Sequence, residues 1–300
     1  MKKKLVFIGD TNSINVELIS KSHNFIKKKV KYLIIGNSKD LESNLRKLNS
    51  NLKINLINDP INFTNYDHER LNLFNIHKTH SLKYKNLLNQ INISNYLSSI
   101  TKIDLITMPV NKSVFKKEMN FTGMTEYLGK LNNKSTIMLM HGEKFSVIPI
   151  TTHINLKDVN KRVKTKIIQQ KLKHILQQIN KEIYNLKINK IKFLCFNPHC
   201  SENNTLGNED SIIKKSLLNF KKILGPYSAD SAFNTIIPNS LFISMYHDQA
   251  LIPFKIMNKK RINLTLGLPY RRLSPAHGTA IDIKYKLKAD NSSYIECIQF

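Results

Sequence analysis

Residues 145–153 read Phe-Ser-Val-Ile-Pro-Ile-Thr-Thr-His, an apolar run one strand long that ends on a histidine. Two later stretches repeat the pattern, Ile191-Lys-Phe-Leu-Cys-Phe-Asn-Pro-His199 and Leu241-Phe-Ile-Ser-Met-Tyr-His247. Outward from these, short apolar runs alternate with longer amphipathic ones, the rhythm of an α/β fold. Strands are expected at 4–8, 32–35, 54–57, 103–108, 136–140, 145–151, 191–196, 241–245 and 262–266. The clearest helix is expected between Val159 and about Leu186, where Val163, Ile167, Ile168, Leu172, Ile175, Leu176, Ile179 and Ile183 recur at helical spacing with lysines opposite. That stripe reads as core or subunit interface rather than as a cofactor box. Another amphipathic helix is expected from near Asp210, while Asn62 to Asn95 is polar and irregular enough to hold a mobile excursion.

The 300 residues carry 47 basic and 21 acidic side chains, a formal charge of +26, and 41% of them are apolar. That apolar share is enough for one large core or two smaller ones, and it excludes disorder as the ground state. No apolar stretch approaches the ~18 residues of a membrane-spanning helix. After the basic start Met1-Lys-Lys-Lys4 the apolar run stops after about four residues, below the ~7 to 15 of a secretory signal, so a cytoplasmic location is expected. The cysteines are Cys195, Cys200 and Cys297. They show no paired spacing, which excludes a disulfide framework and fits a reducing compartment. The lysines are scattered along the chain, and Asn, Lys and Ile are abundant together, as an AT-rich genome would favour. This distribution reads as a solvated basic surface, with no nucleic-acid partner and no membrane.

In open α/β sheets ligands bind outside the carboxyl ends of the strands, where residues distant in sequence converge. His153, His199 and His247 all occupy such positions. Three imidazoles with an open position for water or substrate would make a catalytic divalent-metal site of the zinc type. The alternative, three separate hydrogen-bonded structural histidines, stays open at this point. A second constellation suits anions. Asn197-Pro-His-Cys-Ser-Glu202 and Leu206-Gly-Asn-Glu209 precede the helix near Asp210, and Lys255, Asn263 and Arg272 flank the strand 262–266. A point charge, an amide and a planar fork together fit a small substrate bearing phosphate and carboxylate. Cys200, beside His199, reads as a buried spectator.

Eight motifs in order carry a resemblance. They are Met108-Pro-Val-Asn-Lys112, Phe121-Thr-Gly-Met-Thr-Glu126, Thr151-Thr-His-Ile-Asn-Leu156, Asn197-Pro-His-Cys-Ser-Glu202, Gly225-Pro-Tyr-Ser-Ala-Asp230, Met245-Tyr-His-Asp-Gln249, Asn263-Leu-Thr-Leu-Gly-Leu-Pro269 and Ser274-Pro-Ala-His-Gly-Thr-Ala280. With them the chain resembles the 4-hydroxythreonine-4-phosphate dehydrogenases, which act in pyridoxal phosphate biosynthesis. The resemblance implies two α/β/α domains of the isocitrate/isopropylmalate-dehydrogenase type, with the active site in the cleft between domains. By that analogy residues 1–130 with 270–300 form a terminal domain, and 131–269 form a central domain holding the metal ligands and most of the dimer contact. His153, His199 and His247 fall on the metal-ligand positions of a site completed across a homodimer interface. Thr125, Lys255, Asn263 and Arg272 fall on substrate-contacting positions, and Asp230 and Asp248 sit in motifs lining the same cleft. The implied cofactors are NAD or NADP and one divalent ion per site, zinc, magnesium or cobalt. The implied reaction oxidises 4-phosphooxy-L-threonine to 2-amino-3-oxo-4-phosphooxybutanoate, which decarboxylates to 3-amino-2-oxopropyl phosphate.

Three departures from the family pattern accompany the match. The glycine- and proline-rich N-terminal loop becomes Gly9-Asp-Thr-Asn-Ser-Ile-Asn-Val-Glu17, where Asn15 is expected to keep a turn that glycine would make and Ser13 has no evident substitute role. Met124 replaces a histidine beside Thr125, which predicts weaker substrate binding. Ala276 replaces an aspartate before His277. Two other functions stay open on the sequence: a related dehydrogenase acting on a threonate or erythronate 4-phosphate, and a degenerate, non-catalytic basic binding protein.

Overall fold

A computed structural model describes residues 1–115 and 121–300; the lysine pair at 116–117 lies outside the described residues. The chain divides into two compact units, Met1–Ser135 with Leu268–Phe300, and Thr136–Gly267.

In the first unit β1 (Lys2–Phe7), α1 (Asn15–Ile26), β2 (Val30–Gly36), α2 (Ser38–Lys47), β3 (Ile54–Leu56), β4 (Leu71–Asn75), α3 (Lys83–Thr101), β5 (Asp104–Thr107) and α4 (Met124–Leu131) follow in order. Its strands lie side by side as β3-β4-β2-β1-β5, joined beyond β5 by a strand from the far end of the chain, Arg272–Pro275. Every pairing is parallel. β2 reads Val-Lys-Tyr-Leu-Ile-Ile-Gly, the β-branched and aromatic composition that fits a pleated, buried surface. Next to it α2 starts on Asn37, whose side chain accepts from the amide of Asp40 at 3.2 Å, and it ends on Arg46 and Lys47, charges that complement the helix dipole. The core gathers Leu5, Phe7, Leu33, Ile35, Leu105 and Tyr270, with α3 laid over it through Leu87, Ile91 and Leu97.

The second unit contains β6 (Ile137–Gly142), β7 (Phe145–Pro149), α5 (Leu156–Val159), α6 (Thr165–Ile179), β8 (Lys190–Leu194), α7 (Glu209–Leu217), β9 (Ile223–Tyr227), β10 (Ser240–Ser244), α8 (His247–Met257) and β11 (Arg261–Leu266). Their order is β11-β6-β7-β10-β8-β9. β11 and β6 pair antiparallel, as do β6 and β7, and the rest pair parallel. Phe145 and Phe242 pack edge to face with centroids 5.2 Å apart, and Phe254 of α8 closes on Phe145 at 5.8 Å. Burying each such ring stabilises the unit by roughly 1.5–3 kcal/mol. The first unit's last strand is β12 (Arg272–Pro275), and α9 (Ser292–Gln299) then packs on α1.

All nine expected strands form, and the described residues add three that the sequence does not predict: β4, the edge strand β9, and β12 with a buried arginine in it. The long helix expected from Val159 to about Leu186 is shorter. Val163 takes a non-helical ψ of 77°, and Lys164 and Lys181 are extended at 132° and 129°, so the backbone leaves the helix at both ends of α6. Within α6, Ile168, Leu172, Ile175 and Ile179 are buried, the core role expected of the stripe. The polar span 62–95 is a correction: it contains β4 and most of α3.

Candidate metal centre and anion site

β10 lies between β7 and β8, with Ser244 opposite Pro149 and Ile243 opposite Phe193, so the carboxyl ends of all three strands are level. The loops leaving them are tied together. Ile150 donates its amide to the Ser244 carbonyl at 2.8 Å, and Thr151 donates both its amide, at 3.1 Å, and its hydroxyl, at 2.6 Å, to the Met245 carbonyl. This lacing brings His153 beside His247, with ring centroids 6.2 Å apart. His247 opens α8, and its Nδ1 lies 2.7 Å from Asp248 Oδ1. With the proton on Nδ1 shared with that carboxylate, Nε2 keeps its lone pair for a ligand. Gln249, one turn position on, donates from Nε2 to the Cys195 carbonyl at 2.7 Å and so ties α8 to the end of β8.

His199 leaves β8 on an unusual backbone. Six consecutive non-glycine residues, His199 to Asn204, have φ between 41° and 71°. His199 Nδ1 is 3.8 Å from Asp230 Oδ2, and both side chains are 62% exposed. The Ser228 hydroxyl, donating to Asp230 at 2.6 Å, and His199 beside it hold that carboxyl below the usual carboxylate range. His199, Asp230, Tyr246 and Gln249 line a cavity of about 310 Å³, and Tyr246 also borders a smaller one of about 110 Å³ with Thr151, His247 and Asp248. Among the described residues no group of three His, Cys, Asp or Glu side chains closes into a metal site. Within one chain, therefore, two of the three histidines meet and His199 stands at the neighbouring cavity. Three imidazole nitrogens remain a donor set suited to a divalent ion, with Asp248 and Asp230 as carboxylate partners to two of them. Cys200 is partly buried, and burial together with the Cys195 thiol pushes its thiol up to about 12, which leaves it protonated and unreactive.

In the first unit Arg272 is 3% exposed. Its Nε donates to Thr107 Oγ1 at 2.8 Å, Nη2 reaches the same hydroxyl, and Nη1 approaches Thr125 Oγ1 at 3.4 Å. Burial lowers the guanidinium pKa to about 10, still far enough above neutrality for the fork to stay charged. Two of the four expected substrate residues thus meet. Of the others, Lys255 is exposed on α8, and Asn263 on β11 has an Oδ1 that is buried without a hydrogen-bond partner. Such an orphaned acceptor costs stability unless something supplies a donor. Sequence reasoning gave no role to Thr107 and Thr151, polar residues at the ends of apolar runs, or to Gln249 in the first turn of α8, whose partners become visible only when the strands are paired.

The N-terminal loop corrects one expectation. Asn15 makes no left-handed turn; it is the first residue of α1, and its Nδ2 donates to the carbonyls of Ile8, Asp10 and Pro109 at 3.0, 3.2 and 2.8 Å. Ser13 gains a role as well, accepting from the Asn15 amide at 3.1 Å and donating to the Asp10 carbonyl at 2.5 Å. The glycine that the backbone does need is Gly9, at φ 73°, where a Cβ would sit 2.5 Å from the Pro109 carbonyl oxygen. Met124 packs against the first unit's core, and Ala276 donates its amide to the Ser293 hydroxyl at 2.8 Å.

Comparison with known proteins matches residues 28–300 to the model of the pyridoxal phosphate biosynthetic protein PdxA. The chain belongs to the PdxA family. A 4-hydroxythreonine-4-phosphate dehydrogenase from Sulfurihydrogenibium sp. is 34% identical over 100% of this chain and 97% of its own. One from Campylobacter fetus is 35% identical with the same coverage. Among solved structures, the 4-hydroxythreonine-4-phosphate dehydrogenase of Klebsiella pneumoniae superimposes with a TM-score of 0.83 at 24% identity, covering 100% of this chain and 98% of that one. At that identity the likeness shows the PdxA fold, a mixed α/β architecture. The PdxA match spans Thr125, the three histidines, Lys255, Asn263 and Arg272, and it begins after the altered loop Gly9–Glu17. Among the described residues no helix is long and apolar enough to cross a membrane.

Proposed function

We propose that the chain oxidises 4-phosphooxy-L-threonine with a nicotinamide cofactor in pyridoxine 5'-phosphate biosynthesis. The secondary alcohol loses its hydroxyl proton and a hydride to form 2-amino-3-oxo-4-phosphooxybutanoate, which releases carbon dioxide to leave 3-amino-2-oxopropyl phosphate. The observation that carries this reading is family membership, with full-length relatives at 34% and 35% identity bearing that dehydrogenase name. A basic, non-catalytic binding role has no comparable support.

The residues divide the work. Arg272, held by Thr107 and prepaid in its orientation, binds an anionic group of the substrate with Thr125 beside it. Lys255 supplies a mobile point charge for phosphate, and the unpartnered Oδ1 of Asn263 accepts a donor from the substrate, the ammonium being the natural one. His153, His199 and His247 would hold the divalent ion, for which zinc or cobalt suits imidazole better than magnesium. When bound, that ion lowers the pKa of the hydroxyl it touches, and NAD or NADP supplies the hydride acceptor. Asp248 orients the His247 ring so that Nε2 faces outward.

A second copy of the chain completes the centre in this reading. Supporting it, Leu156, Ile252 and Ile256, near His153 and His247 in sequence, are 66%, 58% and 77% exposed, an apolar surface that a partner would cover. A cytoplasmic location fits the metabolic reaction. The test uses metal-stripped protein and follows NAD and NADP reduction with 4-phosphooxy-L-threonine, with and without zinc, cobalt or magnesium. Metal-dependent turnover that disappears in His199→Ala is expected. A folded protein that turns over erythronate 4-phosphate instead, or nothing with any metal, overturns the assignment.

A further inference from the structure

The backbone carrying His199 is costly by itself. A non-glycine residue in the left-handed region is strained, and such conformations persist only where the surroundings enforce them. Here six in a row, His199 to Asn204, take it. The enforcing group is a buried carboxylate. Asp210, 4% exposed in the first turn of α7, accepts the Phe196 amide on Oδ1 at 2.6 Å, the Asn197 amide on Oδ2 at 3.0 Å and the Ser201 hydroxyl on Oδ2 at 2.7 Å. Its donors thus come from both sides of His199. Asn197 adds a brace, donating from Nδ2 to Ser201 Oγ at 3.1 Å and to Glu209 Oε2 at 2.8 Å. A carboxylate accepting three hydrogen bonds, two of them from backbone amides, is a strong clamp, because each bond is charge-assisted and the carboxylate is buried.

We infer that Asp210 is a positioning residue for the His199 ligand, whose carboxylate winds the 196–204 loop into the left-handed turn from which the imidazole is presented. This rests on the reading of His199 as a metal ligand and adds a residue to it. Among the described residues Asp210 hydrogen-bonds Phe196, Asn197 and Ser201, and neither the imidazole nor the cavity-lining Asp230, so its effect runs through the backbone. Replacement by asparagine keeps the size but removes the charge and turns one acceptor into a donor facing donors.

The test measures Co2+ binding to the full-length, metal-stripped protein by competition with a chromophoric chelator, together with the visible d–d spectrum of the bound ion. Wild type is expected to bind Co2+ and to lose most of that affinity in His199→Ala. Asp210→Asn, with an unchanged far-UV spectrum, is expected to bind about 10- to 100-fold more weakly, the range found when groups that orient metal ligands are removed. A further substitution, Cys200→Gly, is expected to recover part of the loss, because glycine takes positive φ without penalty. Hydrogen exchange on the metal-free proteins gives a second readout: the Phe196 and Asn197 amides are expected to exchange faster in Asp210→Asn. Wild-type affinity and spectrum in a folded Asp210→Asn protein overturn the inference while leaving the metal reading intact. A wild type that binds no Co2+, or binds it as well after His199→Ala, overturns the metal reading and the positioning role with it.

Discussion

Asn15 shows how one side chain can stand in for a lost backbone feature. Its amide reaches three carbonyls around the end of β1, so Asn15→Ala takes from the Ile8 carbonyl its donor, while Asp10 keeps the Ser13 hydroxyl and Pro109 the Asp10 amide. A loss of about 1–3 kcal/mol is expected, read as a lower denaturant midpoint with unchanged slope. Arg272 belongs at the same scale. Arg272→Lys retains a charge but loses the planar fork on Thr107, and KM for the phosphorylated substrate is expected to rise roughly tenfold or more with the fold retained. Met124→His restores the side chain that the family carries, and about a two- to tenfold fall in KM is expected from one regained hydrogen bond. An unchanged KM would show that the position does not reach the substrate. His23 is buried in α1 with Nδ1 2.6 Å from the Tyr32 hydroxyl, and burial lowers its pKa from 6.5. Between the lowered value and 6.5 the unfolded chain binds more protons than the folded one, so stability is expected to fall as the pH drops below about 6.5. In His23→Leu that acid-side slope of the urea midpoint should flatten.

At the scale of elements, a buried charge cluster ties β1, β5 and the residue just before β12. Lys4 is fully buried and lies 2.6 Å from Asp104, which Arg271 reaches at 2.5 Å. Burial lowers the Lys4 pKa, and Asp104 opposes that shift. Removing the shared anion by Asp104→Ala leaves two cations facing each other, and about 3–5 kcal/mol of destabilisation is expected in chemical denaturation. Three of the elements that sequence patterning did not find lack a plain apolar run, each in its own way. α3 buries Asn86, Gln90, Ser94 and Ser98 along with Leu87, Ile91 and Leu97, so its inward face is half polar and no apolar period emerges. β12 hides an arginine, and β9 is a short edge strand containing Gly225 and Pro226. β7, β8 and β10 were legible because each is a plain apolar run that stops at a marked residue.

For the whole molecule the central prediction concerns assembly. If a second copy completes the centre, the 34.7 kDa chain runs as a dimer in light scattering, and mixing inactive His199→Ala and His247→Ala proteins restores part of the turnover. A fully active monomer, or no recovery from exchanging dimers, would count against a shared site. Sequence by itself determined the α/β class, nine of the strands, and the placing of three histidines at strand ends. Those features are local: apolar runs, turn residues and ordered motifs are written in consecutive positions. Only the tertiary structure decided that β10 lies between β7 and β8, that His153 meets His247 while His199 faces Asp230, and that Arg272 rests on Thr107 and Thr125. These depend on which strands pair and in what register, and on buried polar groups finding distant partners, as Arg272 finds Thr107 165 residues away, a relation that no periodicity along the chain encodes.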